Sequence, residues 1–130
     1  MYMTPFIIDA DQMYGGALRR GDVVIVNRSL GEAFFVVVQD DVLNDGLPTV
    51  LCVELEVVNK KRHKEIFPHE MVLTKEESGL ASDAVAVTHK MFPVDRRSIL
   101  AKTGELRAER LLSLYRALDV VFGRFRDEEV

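Results

Sequence analysis

Two glutamates, Glu54 and Glu56, stand two residues apart in an apolar segment that has the composition of a β-strand. Side chains alternate between the two faces of a strand, so both carboxylates are predicted to lie on one face. A close pair of this kind suits proton transfer, because the charge of one carboxylate raises the pKa of the other. The commoner situation for such a pair is the solvated outer face of a sheet, and that alternative stays open.

A basic run follows the same segment. It spans residues 59–64, and its permanent cations are Lys60, Lys61, Arg62 and Lys64. Such cations would bind RNA phosphates with strong salt dependence and no sequence preference. The whole chain has a net charge of −4 and a pI near 5.4, so only a local patch of this kind would favour nucleic acid. The alternative is a solvated loop.

No metal or cofactor site is predicted. His63 lies within the basic run and is expected to face solvent. His69 and His89 have no cysteine or carboxylate at metal-ligand spacing. Cys52 is the single cysteine, and its apolar surroundings predict a small buried hydrophobe. The serines lie in cap, turn and helix contexts without the local signature of a nucleophile.

These residues require a sheet to hold them. Residues 34–38 are apolar on both faces and predict a strand that is buried on both sides or lies in a barrel wall. Residues 49–57 predict a second strand, in which Leu51, Val53, Leu55 and Val57 point one way and Cys52, Glu54 and Glu56 point the other. The linker 39–48 is too long for a tight hairpin turn. It is predicted to be a structured loop whose Asp and Asn side chains bond to turn amides.

The remaining elements complete a small fold. Further strands are predicted at 23–27, 66–73 and 84–88, and short helical turns at 9–14, 74–80 and 95–100. A C-terminal helix ends at Gly123. Its apolar stripe is predicted to pack in the core and consists of Leu111, Leu114, Tyr115, Leu118, Val121 and Phe122. The predicted class is mainly β (α+β), a small, strongly bent sheet or partial barrel with an amphipathic helix over it.

The length of 130 residues predicts a single domain, 1–130. Residues 1–19 form an N-terminal extension, 20–123 the partial barrel and its helix, and 124–130 a polar tail. No apolar run reaches membrane-spanning length and the N-terminus has no secretory pattern, so no membrane association and a cytoplasmic location are expected.

The order of several short motifs resembles the MazF/PemK family of toxins. They are Gly21-Asp22-Val23, the segment from Val36 to Asp41, Leu47-Pro48-Thr49, the segment from Pro93 to Leu100, and Lys102-Thr103-Gly104-Glu105-Leu106. The resemblance covers residues 20 to 123. It implies an SH3-like barrel of the CcdB/MazF type, a homodimer, cleavage of single-stranded RNA without a metal, and neutralisation by an antitoxin peptide.

The chain departs from the family at the positions expected to carry the chemistry. Ala33 and Phe34 stand where the family has an Arg-Pro pair, and Glu56 stands where it has a Thr or Ser. The loop after the first strand is also shortened, to residues 28–32. A rebuilt site would need a cation for the phosphorane and a base for the 2′-hydroxyl proton. Arg28 is the candidate cation, Glu56 the candidate base, and Glu54 the group that would raise its pKa.

Three functions therefore remain open. The first is an endoribonuclease of a toxin–antitoxin system. The second is a family member that has lost catalysis and binds a protein or a nucleic acid. The third is a CcdB-like inhibitor that acts by binding another protein.

Overall fold

The computed structural model describes residues 13–128, in which strands dominate. The strands are β1 (Asp22–Arg28), β2 (Gly31–Val37), β3 (Thr49–Val57), β4 (Glu70–Leu73), β5 (Ala84–Asp95) and β6 (Ile99–Glu105). The helices are α1 (Asp41–Gly46), α2 (Lys75–Ser78), α3 (Ala108–Phe122) and α4 (Arg124–Glu128), and a 3₁₀ turn occupies Arg96–Ser98. The strands form one antiparallel sheet in the order β4-β5-β3-β2-β1-β6.

The predicted class, mainly β with a C-terminal helix, is confirmed. The described sheet has two edges, β4 and β6, and is not closed into a ring of paired strands. Its ladder is interrupted between β3 and β5, where Val53 pairs with Met91 but its neighbour Glu54 pairs with Val87. Three residues of β5, 88 to 90, are therefore extra, and such a bulge bends a strand and redirects its side chains.

One face of the sheet carries the main core. Val53, Leu55 and Ala86 from the sheet pack there with Leu114 and Leu118 of α3. The predicted alternation of β3 is confirmed, because Val53 and Leu55 are in this core while Cys52 is in another. This second core lies on the opposite face and consists of Leu18, Val24, Val26, Phe35, Val37, Val50, Cys52, Val94 and Ile99, with Tyr14 and Ala33 against it. Burial raises the pKa of Cys52 to about 12, so its thiol stays protonated at neutral pH.

The linker between β2 and β3 is a structured loop, as predicted, and it contains α1. Asp40 caps this helix by accepting a hydrogen bond from the Val42 N–H at 3.2 Å. The Asn44 side chain is buried, donates to the Gln39 carbonyl at 3.0 Å and accepts from the Gln39 side chain at 3.0 Å. The polar side chains of this loop thus satisfy its amides, as the sequence indicated.

Close backbone packing joins α2 to β6. Thr74 and Glu77 form the capping box of α2, and Gly79 ends the helix at φ +73°. A Cβ at Gly79 would lie 1.9 Å from the Thr103 carbonyl oxygen, so only glycine fits this contact. The predicted turn at 74–80 is confirmed.

Several element predictions are corrected. β6 was not predicted from residue pattern, because its Lys-Thr-Gly-Glu end has weak strand propensity. β5 continues through Pro93 to Asp95, well past residue 88. In α3, Leu114 and Leu118 are buried as expected, but Val121 and Phe122 are exposed, because the last helical turn lies outside the main core. The predicted polar tail begins with a short helix, α4.

The N-terminal turn predicted at 9–14 lies outside the described residues except for Met13 and Tyr14, which are not helical. No described helix has both the length and the hydropathy required to cross a membrane.

Candidate functional site

The two glutamates of β3 face a lysine from β5. Lys90 Nζ lies 2.8 Å from a carboxylate oxygen of Glu56 and 3.6 Å from one of Glu54. These contacts confirm that Glu54 and Glu56 share one face. Lys90 is one of the three extra residues of β5, and this bulge lies opposite Val53 and Glu54 in the middle of β3.

An arginine from the end of β1 completes the row. The Arg28 guanidinium lies 3.7 Å from Glu54. It also covers two aromatic rings, at 4.8 Å from the centroid of Phe35 and 5.6 Å from that of Phe92. The rings meet edge to face at 6.4 Å, Phe35 fully buried and Phe92 exposed. Stacking on the rings limits the directions in which the guanidinium can point, so Arg28 is held beside Glu54.

The basic run is anchored to the same glutamates. Arg62 lies 3.0 Å from Glu56, and His63 Nε2 lies 3.3 Å from the same carboxylate. The Asn59 N–H donates to His63 Nδ1 at 2.8 Å, so the neutral ring carries its proton on Nε2, where it donates to Glu56. His63 was expected to face solvent. Its side chain is instead only 6% exposed, because the turn folds back onto β3.

In the described structure, the other cations of the run do not pair with the glutamates. Lys60, Lys61 and Lys64 are exposed, and in the described part of the chain no ion pair joins them to the strand. The turn that carries them is ordered, since the Asn59 side chain accepts from the Lys61 N–H at 2.9 Å. The run is therefore a fixed basic turn with one residue, Arg62, directed at the glutamates.

We call Arg28, Glu54, Glu56, Arg62 and Lys90 the charged cluster. Its three cations and two carboxylates leave one net positive charge, so the carboxylates do not make this surface repel phosphates. In a chain whose net charge is −4, this is a local reversal of sign.

The pKa of Glu56 differs from the sequence-based expectation. Glu54 was expected to raise it by repulsion, but the hydrogen bond from Lys90 lowers it, with Arg62 and His63 acting in the same direction. The same hydrogen bond raises the pKa of Lys90, so the ammonium stays charged at neutral pH. Glu56 is thus a firmly ionised carboxylate with three partners. Glu54 has only the longer contacts to Arg28 and Lys90.

Sequence reasoning missed three members of this site as site residues: Lys90, His63 and Phe92. In the sequence, the apolar run 84–87 gives way to polar residues at 88–90, which marks this part of β5. Within the described residues, no three His, Cys, Asp or Glu side chains cluster in a way that would hold a metal ion.

Comparison with known proteins identifies the family of the chain. The family model described as PemK-like, MazF-like toxin of type II toxin-antitoxin system matches residues 19–122. The chain belongs to this toxin family. No curated protein sequence matches the chain significantly.

Solved structures show the same fold. A mycobacterial endoribonuclease in complex with its cognate antitoxin has a TM-score of 0.69 and 16% identity, and the match covers 82% of this chain and 96% of that one. MazE–MazF from Deinococcus radiodurans has a TM-score of 0.67 and 17% identity, with coverage of 83% and 97%. At these low sequence identities, the similarity shows a shared fold and nothing beyond it.

Proposed function

We propose that this PemK/MazF-family toxin is an endoribonuclease that cleaves single-stranded RNA at the charged cluster. One observation carries the proposal. Glu54 lies 3.7 Å from Arg28 and 3.6 Å from Lys90, and the exposed ring of Phe92 lies beside Arg28. Two cations can hold a phosphate, a carboxylate can accept a proton, and an aromatic ring can stack on a base. These are the groups that RNA transesterification requires.

The proposed reaction is attack of a ribose 2′-oxygen on the adjacent phosphorus. Glu54 accepts the 2′-hydroxyl proton, while Arg28 and Lys90 stabilise the negative charge that develops on the phosphoryl oxygens. The bond from phosphorus to the 5′-oxygen breaks, and Lys90 gives that oxygen a proton. The products are a 2′,3′-cyclic phosphate and a 5′-hydroxyl. Lys90 lies 3.6 Å from Glu54, so the proton taken by Glu54 can return to Lys90 and restore the starting state.

We assign the base role to Glu54 instead of Glu56 for a physical reason. The lowered pKa of Glu56 makes it a weaker base, and Lys90, Arg62 and His63 already occupy its oxygens. We therefore infer that Glu56 positions Lys90 and the basic turn. Lys60, Lys61, Arg62 and Lys64 then supply sequence-independent attraction for the RNA backbone.

The test is a cleavage assay on long single-stranded RNA in the presence of EDTA, with mass spectrometry of the product ends. We expect cyclic phosphate ends from the wild type. Arg28→Ala should slow cleavage by about 100-fold or more, and Glu54→Gln by a similar factor. Glu56→Gln should cost less than Glu54→Gln. The matched control is Arg97→Ala, because Arg97 is an exposed arginine paired with Asp95 instead of with the cluster.

Cleavage by Arg28→Ala at the wild-type rate would remove Arg28 from the mechanism. A larger loss from Glu56→Gln than from Glu54→Gln would return the base role to Glu56.

The second candidate is a binding module without catalysis. It is favoured by the ion pairs themselves, since each cation of the cluster is already paired with a carboxylate. A folded wild-type protein that binds RNA or a protein and never produces cyclic phosphate ends would establish this alternative.

We also infer an antitoxin peptide and a second copy of the chain as partners, and a cytoplasmic location where RNA is available. The family's place in toxin–antitoxin systems supports the antitoxin. Exposed apolar side chains at Val121, Phe122 and Phe125 are the kind of surface that partners cover. Light scattering of the purified chain tests the dimer, and a monomer at micromolar concentration would contradict it.

A further inference from the structure

Three aromatic side chains form a row that ends at His89, the residue before Lys90 in β5. The rings of Phe67 and His69 are nearly parallel, at 18° and 6.0 Å between centroids. The His69 and His89 rings follow at 5.3 Å and 60°. Phe67 is 51% exposed, and His89 is also exposed. His89 directly precedes Lys90, the lysine that contacts both carboxylates.

The exposed ring of Phe67 is held on a rigid turn. The Glu70 N–H donates to the Phe67 carbonyl at 2.9 Å, and the Phe67 N–H donates to the Glu70 carboxylate at 3.1 Å. Pro68 fixes its own φ at the second position of this turn. The Thr88 hydroxyl donates to the His69 carbonyl and ties the turn to β5. A large apolar side chain held in place at the surface has already lost the freedom that binding would otherwise remove.

The lysines on the same segment as this row indicate the chemical class of its partner. The segment between β3 and β4 carries the exposed cations Lys60, Lys61 and Lys64 and then the aromatic turn itself. A groove or surface that combines cations for the backbone with exposed rings for the bases is how proteins bind single-stranded nucleic acid without strong sequence preference. The cations and the aromatic row thus lie on one segment, an arrangement that suits RNA, with its phosphates on the cations and its bases on the rings.

We propose that Phe67, His69 and His89 form a stacking platform for RNA bases that flank the bond cleaved at the charged cluster. The platform rests on the proposed function for its substrate and adds a binding site that lies outside the reacting groups. RNA would run from the cluster past Lys90 to the platform, with its phosphates near the basic turn. Longer RNA should therefore bind more tightly than RNA that reaches only the cluster.

The test is fluorescence anisotropy with a labelled 12-nucleotide RNA that carries 2′-O-methyl groups and cannot be cleaved. Phe67→Ala should weaken binding by roughly 5- to 140-fold, which corresponds to the loss of one base-stacking contact. Phe67→Trp should keep wild-type affinity because the larger ring also stacks. Leu112→Ala is the matched control, since Leu112 is a 55% exposed apolar residue on α3.

A second RNA separates stacking from other effects. It has the same length and charge but an abasic sugar at every position. Wild type and Phe67→Ala should bind this RNA with closely similar affinity, because the platform has no bases to stack on. An equal loss on both RNAs would show that Phe67 acts through folding or charge and would overturn the platform.

The platform and the proposed function fail in different ways. Unchanged affinity of Phe67→Ala for the 12-nucleotide RNA overturns the platform, even if the wild type cleaves RNA. Absence of cleavage by a wild type that binds RNA through Phe67 overturns the enzyme and keeps the platform. Absence of RNA binding by the wild type overturns both and directs the search to a protein partner.

Discussion

The two faces of β3 are built from neighbouring residues and have opposite properties. Val53 and Leu55 are buried against α3 in the main core. Glu54 and Glu56 lie on the other face, where apolar packing stops at Cys52 and charged contacts begin. The first face stabilises the fold by removing apolar surface from water. The second holds charges in fixed positions, which contributes less to folding.

The largest expected effect on stability separates substitutions at two adjacent residues that lie on opposite faces of β3. Leu55→Ala should lower the free energy of unfolding by about 2–5 kcal/mol, because it leaves a cavity in the main core. Glu54→Gln should change it by less than about 1 kcal/mol, since the ion pairs of Glu54 are long and partly exposed. Urea denaturation of both variants measures the difference. Equal losses would mean that the charged face also supports the fold.

A smaller effect concerns acid stability on the charged face. The pKa of Glu56 in the folded chain lies below its usual value, chiefly through Lys90. Its contribution is therefore fully present above the unfolded pKa, near 4.3, and is lost as pH falls through the lower folded value. Glu56→Gln should make unfolding less pH-dependent between about pH 5 and 3 than in the wild type. Urea midpoints across this range give the measurement, and parallel curves would contradict the assignment.

The smallest expected effect comes from a substitution in α3, and it raises the free energy of unfolding instead of lowering it. The Tyr115 hydroxyl is buried against the main core, and among the described residues it has no hydrogen-bond partner. Tyr115→Phe removes this unsatisfied group and should raise the free energy of unfolding by about 1 kcal/mol. Thermal and urea denaturation test it. A destabilised variant would show that the hydroxyl has a partner.

Local rules predicted much of the fold. The segment 74–80 predicted the turn that contains α2, Gly123 the end of α3, and the alternation of β3 placed its glutamates. The same rules failed for β6 and for the second half of β5. Both depend on pairing with distant strands that compensates for weak strand propensity.

The candidate site was predictable only in part. Glu54 and Glu56 came from a two-residue spacing, and Arg28 was proposed as a replacement for the arginine that the family resemblance implies at Ala33. The inward position of His63 was not predictable, because it depends on a turn that closes through Asn59 and folds back onto Glu56. A basic run in the sequence indicates only that its residues are charged.

The sequence by itself determined that two carboxylates share a face, that a basic run follows them, and that an amphipathic helix covers the sheet. These properties follow from periodicity and composition over a few residues. The tertiary structure decided which cations the carboxylates meet. Lys90 is 34 residues from Glu56 along the chain, and only the bulge of β5 against β3 brings the two together. A long-range register of this kind is set by the packing of the whole sheet.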